Sequence, residues 1–169
     1  MPGFGPSAEL AAVLTRVESA LRSAGIAVAD RDLERPWGGF LVISRADLPV
    51  FIEAYFPHMG LGDGETRLSP KILLVGPRLR LSWQYHRRRR EMWRVLEGPV
   101  GISRGATDSE PAMVPHGPGE TIRLELGERH RLTGLDDWGV VAEIWQHADP
   151  SELSDELDIV RVADDHRRA

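Results

Sequence analysis

Apolar side chains at Leu10, Val13, Leu14, Val17 and Leu21 recur every three to four residues, which predicts an amphipathic helix over residues 8–24. Ser7 is placed to cap it, Glu9 lies in its first turn and Gly25 stops it. The Gly/Pro-rich residues 1–6 are expected to fray. Arg35-Pro36-Trp37-Gly38 reads as a turn entering a strand at 39–44. A short helix follows over 47–56, capped by Asp47, with Leu48, Phe51, Ile52 and Tyr55 toward the core; a loop is expected at Gly60–Gly64. From Ser69 the pattern changes to short apolar runs at 70–75, 79–86, 91–97, 99–104, 111–115, 120–126, 129–134 and 139–147, most of them separated by Gly, Pro or Asp, with a last short strand near 158–165. Many short strands at near-regular spacing indicate a mainly β protein, a sandwich or a barrel. The chain is read as one domain, with residues 1–68 an extension packed on a strand-rich unit at 69–169.

One stretch of this pattern carries chemistry. In Leu81-Ser-Trp-Gln84-Tyr-His86, the side chains of Gln84 and His86 are two residues apart and share one face of a strand. Glu91 is out of phase with them unless the chain turns between. Arg87–Arg90, a charged tetrad between apolar runs, reads as that turn, after which Glu91 opens the next strand facing inward. An amide oxygen, an imidazole and a carboxylate then converge on one point. His130 shares a face with Leu132, opposite to Arg129 and Arg131, and is the candidate fourth ligand. Such nitrogen and oxygen ligands suit Zn²⁺, Fe²⁺, Mn²⁺, Co²⁺ or Ni²⁺ and do not choose among them. With Gln84 bound, positions for two substrate oxygens stay open; without it the set is a two-histidine, one-carboxylate triad.

Composition narrows the alternatives. The chain has 169 residues, 41% hydrophobic and 28% charged, as expected of an ordinary globular domain. A net charge of −5 argues against a nucleic-acid coat. With no cysteine, disulfides and thiolate ligands are excluded. No run approaches the ~18 apolar residues of a membrane span, and the N-terminus lacks a signal-like core, so a cytoplasmic location is expected. Lys71 is the sole lysine. Trp83, Tyr85, Trp93 and Trp145 read as core; His58, His116, His147 and His166 have no partner spacing. Gly117-Pro118-Gly119 reads as a hairpin turn.

With these residues in view, the chain resembles the cupin superfamily, and within it the cupin module of type II phosphomannose isomerases. Gln84-x-His86-x4-Glu91 followed by Gly98 is similar to the first cupin signature, and Gly127-x2-His130 to part of the second. Arg35-Pro-Trp-Gly38, Lys71, and Asp158-Ile-Val-Arg161 with Asp164-Asp165 extend the likeness over residues 35–168 in the same order. There are departures. Arg87 and Arg88 stand where the family has histidines, Met92 where a histidine is usual, and Glu125 where a proline is usual; residues 45–68 look inserted.

The resemblance implies a cupin jelly-roll β-barrel with an N-terminal helical and strand extension, binding one divalent metal ion through Gln84, His86, Glu91 and His130. It implies an inward Lys71 as a catalytic group, and Arg161 and Arg89 as contacts to a substrate phosphate or hydroxyl. The activity it implies is interconversion of aldose and ketose forms of a sugar phosphate through an enediolate, in a homodimer, with Lys71 or a metal-bound hydroxide as base. Two other readings stay open: a non-catalytic cupin that binds a sugar or sugar nucleotide, and a metal-dependent oxygenase.

Overall fold

In the computed structural model, residues 8–59 and 67–166 are described. The expectations for Ser7, for residues 1–6 and for the loop 60–64 lie outside them. Two helices, α1 (Ala8–Ser23) and α2 (Leu48–Tyr55, entered through a 3₁₀ turn at Arg45–Asp47), accompany eleven strands. The strands are β1 (Val28–Arg35), β2 (Gly38–Ile43), β3 (Leu68–Val75), β4 (Trp83–Tyr85), β5 (Arg89–Glu97), β6 (Val100–Gly105), β7 (Val114–His116), β8 (Thr121–Leu124), β9 (Arg129–Gly134), β10 (Gly139–His147) and β11 (Val160–Ala163). They form two antiparallel sheets, one of six strands in the order β1-β2-β3-β10-β5-β8 and one of five in the order β11-β4-β9-β6-β7.

Strand alternation separates two cores. On the outer face of the six-stranded sheet, Leu41, Ile43, Ile72, Leu74, Val140, Ala142 and Ile144 meet Leu10, Val13, Val17 and Leu21 of α1 and Leu48, Phe51 and Ile52 of α2. Each of these side chains larger than alanine contributes about 1.5–3 kcal/mol by leaving water. On the inner face, Leu73, Val75, Trp93, Val95 and Val141 meet Val100, Ile102 and Leu132 of the second sheet. β10 lies between helices and sheet and is buried on both faces. The in-register neighbours of Leu73, Trp93 and Val141 on that inner face include Lys71, Glu91 and Glu143, so the same alternation that builds the core sends charged groups into it.

A closed jelly-roll barrel, expected for 69–169, is not what these strands build. Both sheets are open, with β1 and β8 at the edges of one and β11 and β7 at the edges of the other. Closure requires each edge strand to find a second partner. The four-residue β8 pairs with β5 alone and the three-residue β7 with β6 alone, while the β1–β2 hairpin carries the first sheet outward past β3. The Gly117-Pro118-Gly119 turn therefore joins strands of different sheets and is not a hairpin between paired neighbours. The tight β1–β2 turn at Pro36-Trp37 needs Gly38, whose φ of 140° is left to glycine and whose missing Cβ makes room for the Leu74 carbonyl. That turn brings Arg35 and Trp37 to the rim of an interior cavity.

Candidate metal centre

His86 directly follows β4, Glu91 is the third residue of β5, and His130 is the second residue of β9. The chain bends only at Arg87 and Arg88; Arg89 and Arg90 already belong to β5, so the turn is half the length that the arginine tetrad suggested. Their three side chains converge in the interior, each 1–2% exposed, and Glu91 is the member of the trio that lines the cavity. Glu91 Oε1 is 3.1 Å from His86 Nε2, Glu91 Oε2 is 3.4 Å from His130 Nε2, and the two Nε2 atoms are 3.2 Å apart.

The outer ring atoms settle the tautomers. His86 Nδ1 lies 2.7 Å from the Asp158 carbonyl and His130 Nδ1 lies 2.9 Å from the Glu128 carbonyl. A carbonyl only accepts, so both Nδ1 atoms carry a proton and donate it. In the neutral rings both Nε2 lone pairs then face each other and the Glu91 carboxylate. Acceptor atoms this close repel unless a cation lies among them. Ligands bound to one ion at about 2.1 Å and at angles near 90–110° stand about 3.0–3.4 Å apart, the separations found here. Glu91 Oε2 is buried with no hydrogen-bond partner, as an acceptor awaiting a cation would be. His86, Glu91 and His130 thus form a site for one divalent metal ion of undetermined identity.

Asp158 assembles the turn that feeds this site. Its carboxylate accepts the amides of Arg87 at 3.0 Å and Arg88 at 2.9 Å and the Ser154 hydroxyl at 2.6 Å, while its carbonyl orients His86. Burial alone would push its pKa up, but these hydrogen bonds together outweigh it and hold the carboxyl below its usual value. Burial pushes Glu91 up, and the neighbouring His86 and Arg89 more than reverse it, so Glu91 is held well below the usual carboxylate range.

The other expected site residues lie around the trio. Gln84 pairs in register with His130 and lines the cavity, but its amide oxygen accepts the Ser82 hydroxyl at 2.5 Å. Arg89 is 2% exposed. Its Nε donates to Glu91 Oε1 at 2.9 Å, one terminal nitrogen donates to Ser154 Oγ and the Asp155 carbonyl, and the other is 3.3 Å from His86 Nε2. Its guanidinium also stacks on Trp145 at 3.6 Å. Lys71 points inward, its amine 3.7 Å from the Trp145 ring centre and 2.6 Å from Glu156 Oε1. Arg161 lines the same cavity, paired with Gln84 across β11 and β4, with Asp164 at 3.9 Å. The remaining arginines of the tetrad go outward, Arg88 to Asp155 and the Leu153 carbonyl and Arg90 to Glu125.

Sequence reasoning missed Glu143. It is a lone acid in the apolar strand β10, which was a readable signal, since a carboxyl on an inward position there has no solvent to reach. Its two oxygens accept the indole N–H groups of Trp93 and Trp145, each at 2.8 Å. Burial, and then the nearby Glu91 charge, push its pKa up to about 8. Missed too was His147, which links Ser69 Oγ at 2.8 Å to the Ser154 amide at 2.9 Å and so ties β3 and β10 to the loop before β11.

No family model matches the chain, and no curated protein matches it. Solved structures do. Vicilin from hazelnut (Corylus avellana) superposes with a TM-score of 0.53 and 14% identity, covering 75% of this chain and 34% of its own. Oxalate decarboxylase from Bacillus subtilis at pH 4.6 gives 0.55 and 14%, over 78% and 29%. CapF, crystallised with 3-isopropenyl-tropolone, gives 0.52 and 13%, over 80% and 34%. The chain spans about a third of the length of these proteins, and at such identities the likeness speaks for the fold alone. Together with the buried histidine and glutamate trio, it supports a cupin-superfamily fold. No close relative supports the narrower likeness to phosphomannose isomerases.

Proposed function

We propose that this protein is a metal-dependent isomerase that interconverts aldose and ketose forms of a small phosphorylated sugar. The observation that carries this reading is that the trio borders, through Glu91, a cavity lined by both proton-carrying and cationic groups. Four basic residues, Arg35, Lys71, Arg89 and Arg161, and three acidic ones, Glu91, Glu143 and Glu156, line it. His86, Glu91 and His130 would hold a divalent ion, which would supply Lewis-acid polarisation of a carbonyl and its neighbouring hydroxyl.

The chain's own groups do the rest. Glu143, carrying a proton near neutral pH and fixed by two indole donors, is suited to give and take a proton at adjacent carbons; general acid–base help of this kind is typically worth ~10²–10⁴ in rate. Lys71 and Arg161 supply positive charge toward the mouth, where a phosphate would be held. Gln84 becomes a fourth ligand if its amide oxygen turns from Ser82. Trp93, Trp145, Phe40 and Trp37 exclude water around the reacting carbons. In this reading Arg89 tunes the trio electrostatically, since its donors are taken up by protein.

Arg89 also favours a second reading, a ligand-binding protein without turnover, because its guanidinium already neutralises part of the Glu91 charge. One experiment separates the two. Metal-loaded protein is incubated with mannose 6-phosphate, fructose 6-phosphate and heptose phosphates in D₂O and followed by NMR. The isomerase reading expects interconversion with deuterium entering at C1 or C2. No interconversion of any of them by protein shown to hold metal would overturn it.

A further inference from the structure

The amine of Lys71 is enclosed by aromatic rings, 3.7 Å from the centre of Trp145 and 4.6 Å from that of Phe40. Its side chain is 10% exposed, yet its ion-pair partner Glu156, at 2.6 Å, is 49% exposed. A charge inside the cavity is thus satisfied by a carboxylate reaching in from the surface. Glu156 sits in the turn with Leu157, between two firmly held positions of the loop joining β10 to β11. Ser154 is bonded to His147, Arg89 and Asp158 on one side, and Asp158 holds the Arg87 and Arg88 amides on the other. Rotation of the Glu156 side chain toward solvent breaks none of these anchors.

With Glu156 in place the cavity holds about 60 Å³, room for about four or five waters and too little for a sugar phosphate. Arg35 and Arg161 border the same space and add positive charge beside the amine. When Glu156 leaves, Lys71 keeps its enclosure and loses its anion. An ammonium presents three donors, so a phosphoryl or carboxylate group of similar size can take the vacated place.

We propose that Lys71 is the anion-binding subsite of this cavity and that Glu156 is its built-in occupant, displaced by the phosphoryl or carboxylate group of an entering ligand. The inference deepens the sugar-phosphate reading and rests on it for the ligand's phosphate, but it requires neither turnover nor metal. It makes Glu156 a competitor of the ligand, so that affinity for anions is set below what the subsite alone would give.

Because Lys71 is the sole lysine, protein made with ¹³C,¹⁵N-lysine reports the subsite through one side-chain signal set. Metal-free wild-type protein, Glu156→Gln and Glu156→Ala are titrated with inorganic phosphate and, separately, with acetate. Saturable shifts of the Lys71 ε-signals are expected in the wild type. Midpoints about three- to tenfold lower are expected in both variants, the range that a part-exposed ion pair commands. A response to phosphate but not acetate assigns a phosphoryl ligand, the reverse a carboxylate, and either supports the subsite. Lys71 signals that ignore both anions in all three proteins, or midpoints unchanged by both substitutions, would overturn it. Anion binding without sugar-phosphate turnover would overturn the isomerase reading and keep this one; turnover with a silent Lys71 would do the opposite.

Discussion

Glu143 is the residue at which packing and chemistry meet most directly. Its carboxyl is buried between two tryptophans and carries a pKa pushed up to about 8 from an ordinary 4.5. A raised carboxyl pKa means that the folded chain keeps a proton that the unfolded chain releases. The associated stability is fully present below about pH 4.5, declines as pH rises, and is lost once pH passes about 8, a change on the order of a few kcal/mol. Metal-free protein is therefore expected to lose stability between pH 5 and 8 through this group, and Glu143→Gln to flatten that slope. Denaturant titrations at several pH values check it; equal slopes in both proteins would show that Glu143 does not hold the proton. At this scale alternation made His86 and His130 legible, and Glu91 as well once a turn was placed before it. Glu143 is marked as the lone acid of an apolar strand, but the pattern does not state that its position borders a cavity.

Among the elements, the bend between β4 and β5 decides whether the trio exists. It is only two residues long, and it is held from outside by Asp158, seventy residues further along the chain, through two backbone amides and the His86 ring. Asp158→Ala removes the side-chain bonds while leaving the carbonyl. It is expected to cost about 2–4 kcal/mol, since two amides and Ser154 lose a charged acceptor, and to weaken metal binding about 10–100-fold through a looser His86. Thermal denaturation and metal titration read the two effects separately. Affinity equal to that of the wild type would remove Asp158 from the account of the site. The sequence pattern showed a turn here because charge interrupts apolar runs, but it could not show that two of the four arginines continue the strand. Arg89 turns inward because β5 alternates, and its charge is met by Glu91, two residues on and on the same face.

At the scale of the whole molecule, a helix-covered six-stranded sheet packs on a five-stranded one, and the site lies between them near one end. The mainly β class and most strand positions were legible from the spacing of apolar runs. Closure was not, because run lengths do not state which edges will pair: β7 and β8 are too short to bridge the sheets, and β1, written in polar residues, shows little apolar alternation of its own. No helix of the described chain is long and apolar enough to cross a membrane. His86 just after β4, Glu91 of β5 and His130 of β9 are brought together from the two sheets to hold one metal ion. The direct measurement is metal content by elemental analysis after dialysis of the apo protein against Mn²⁺, Co²⁺, Ni²⁺, Fe²⁺ or Zn²⁺, for wild type, Glu91→Gln and His130→Ala. The account expects one ion per wild-type chain for at least one metal, with a loss of 100-fold or more in affinity in each variant that folds. Absence of stoichiometric metal in the wild type, or full retention by the folded variants, would contradict it.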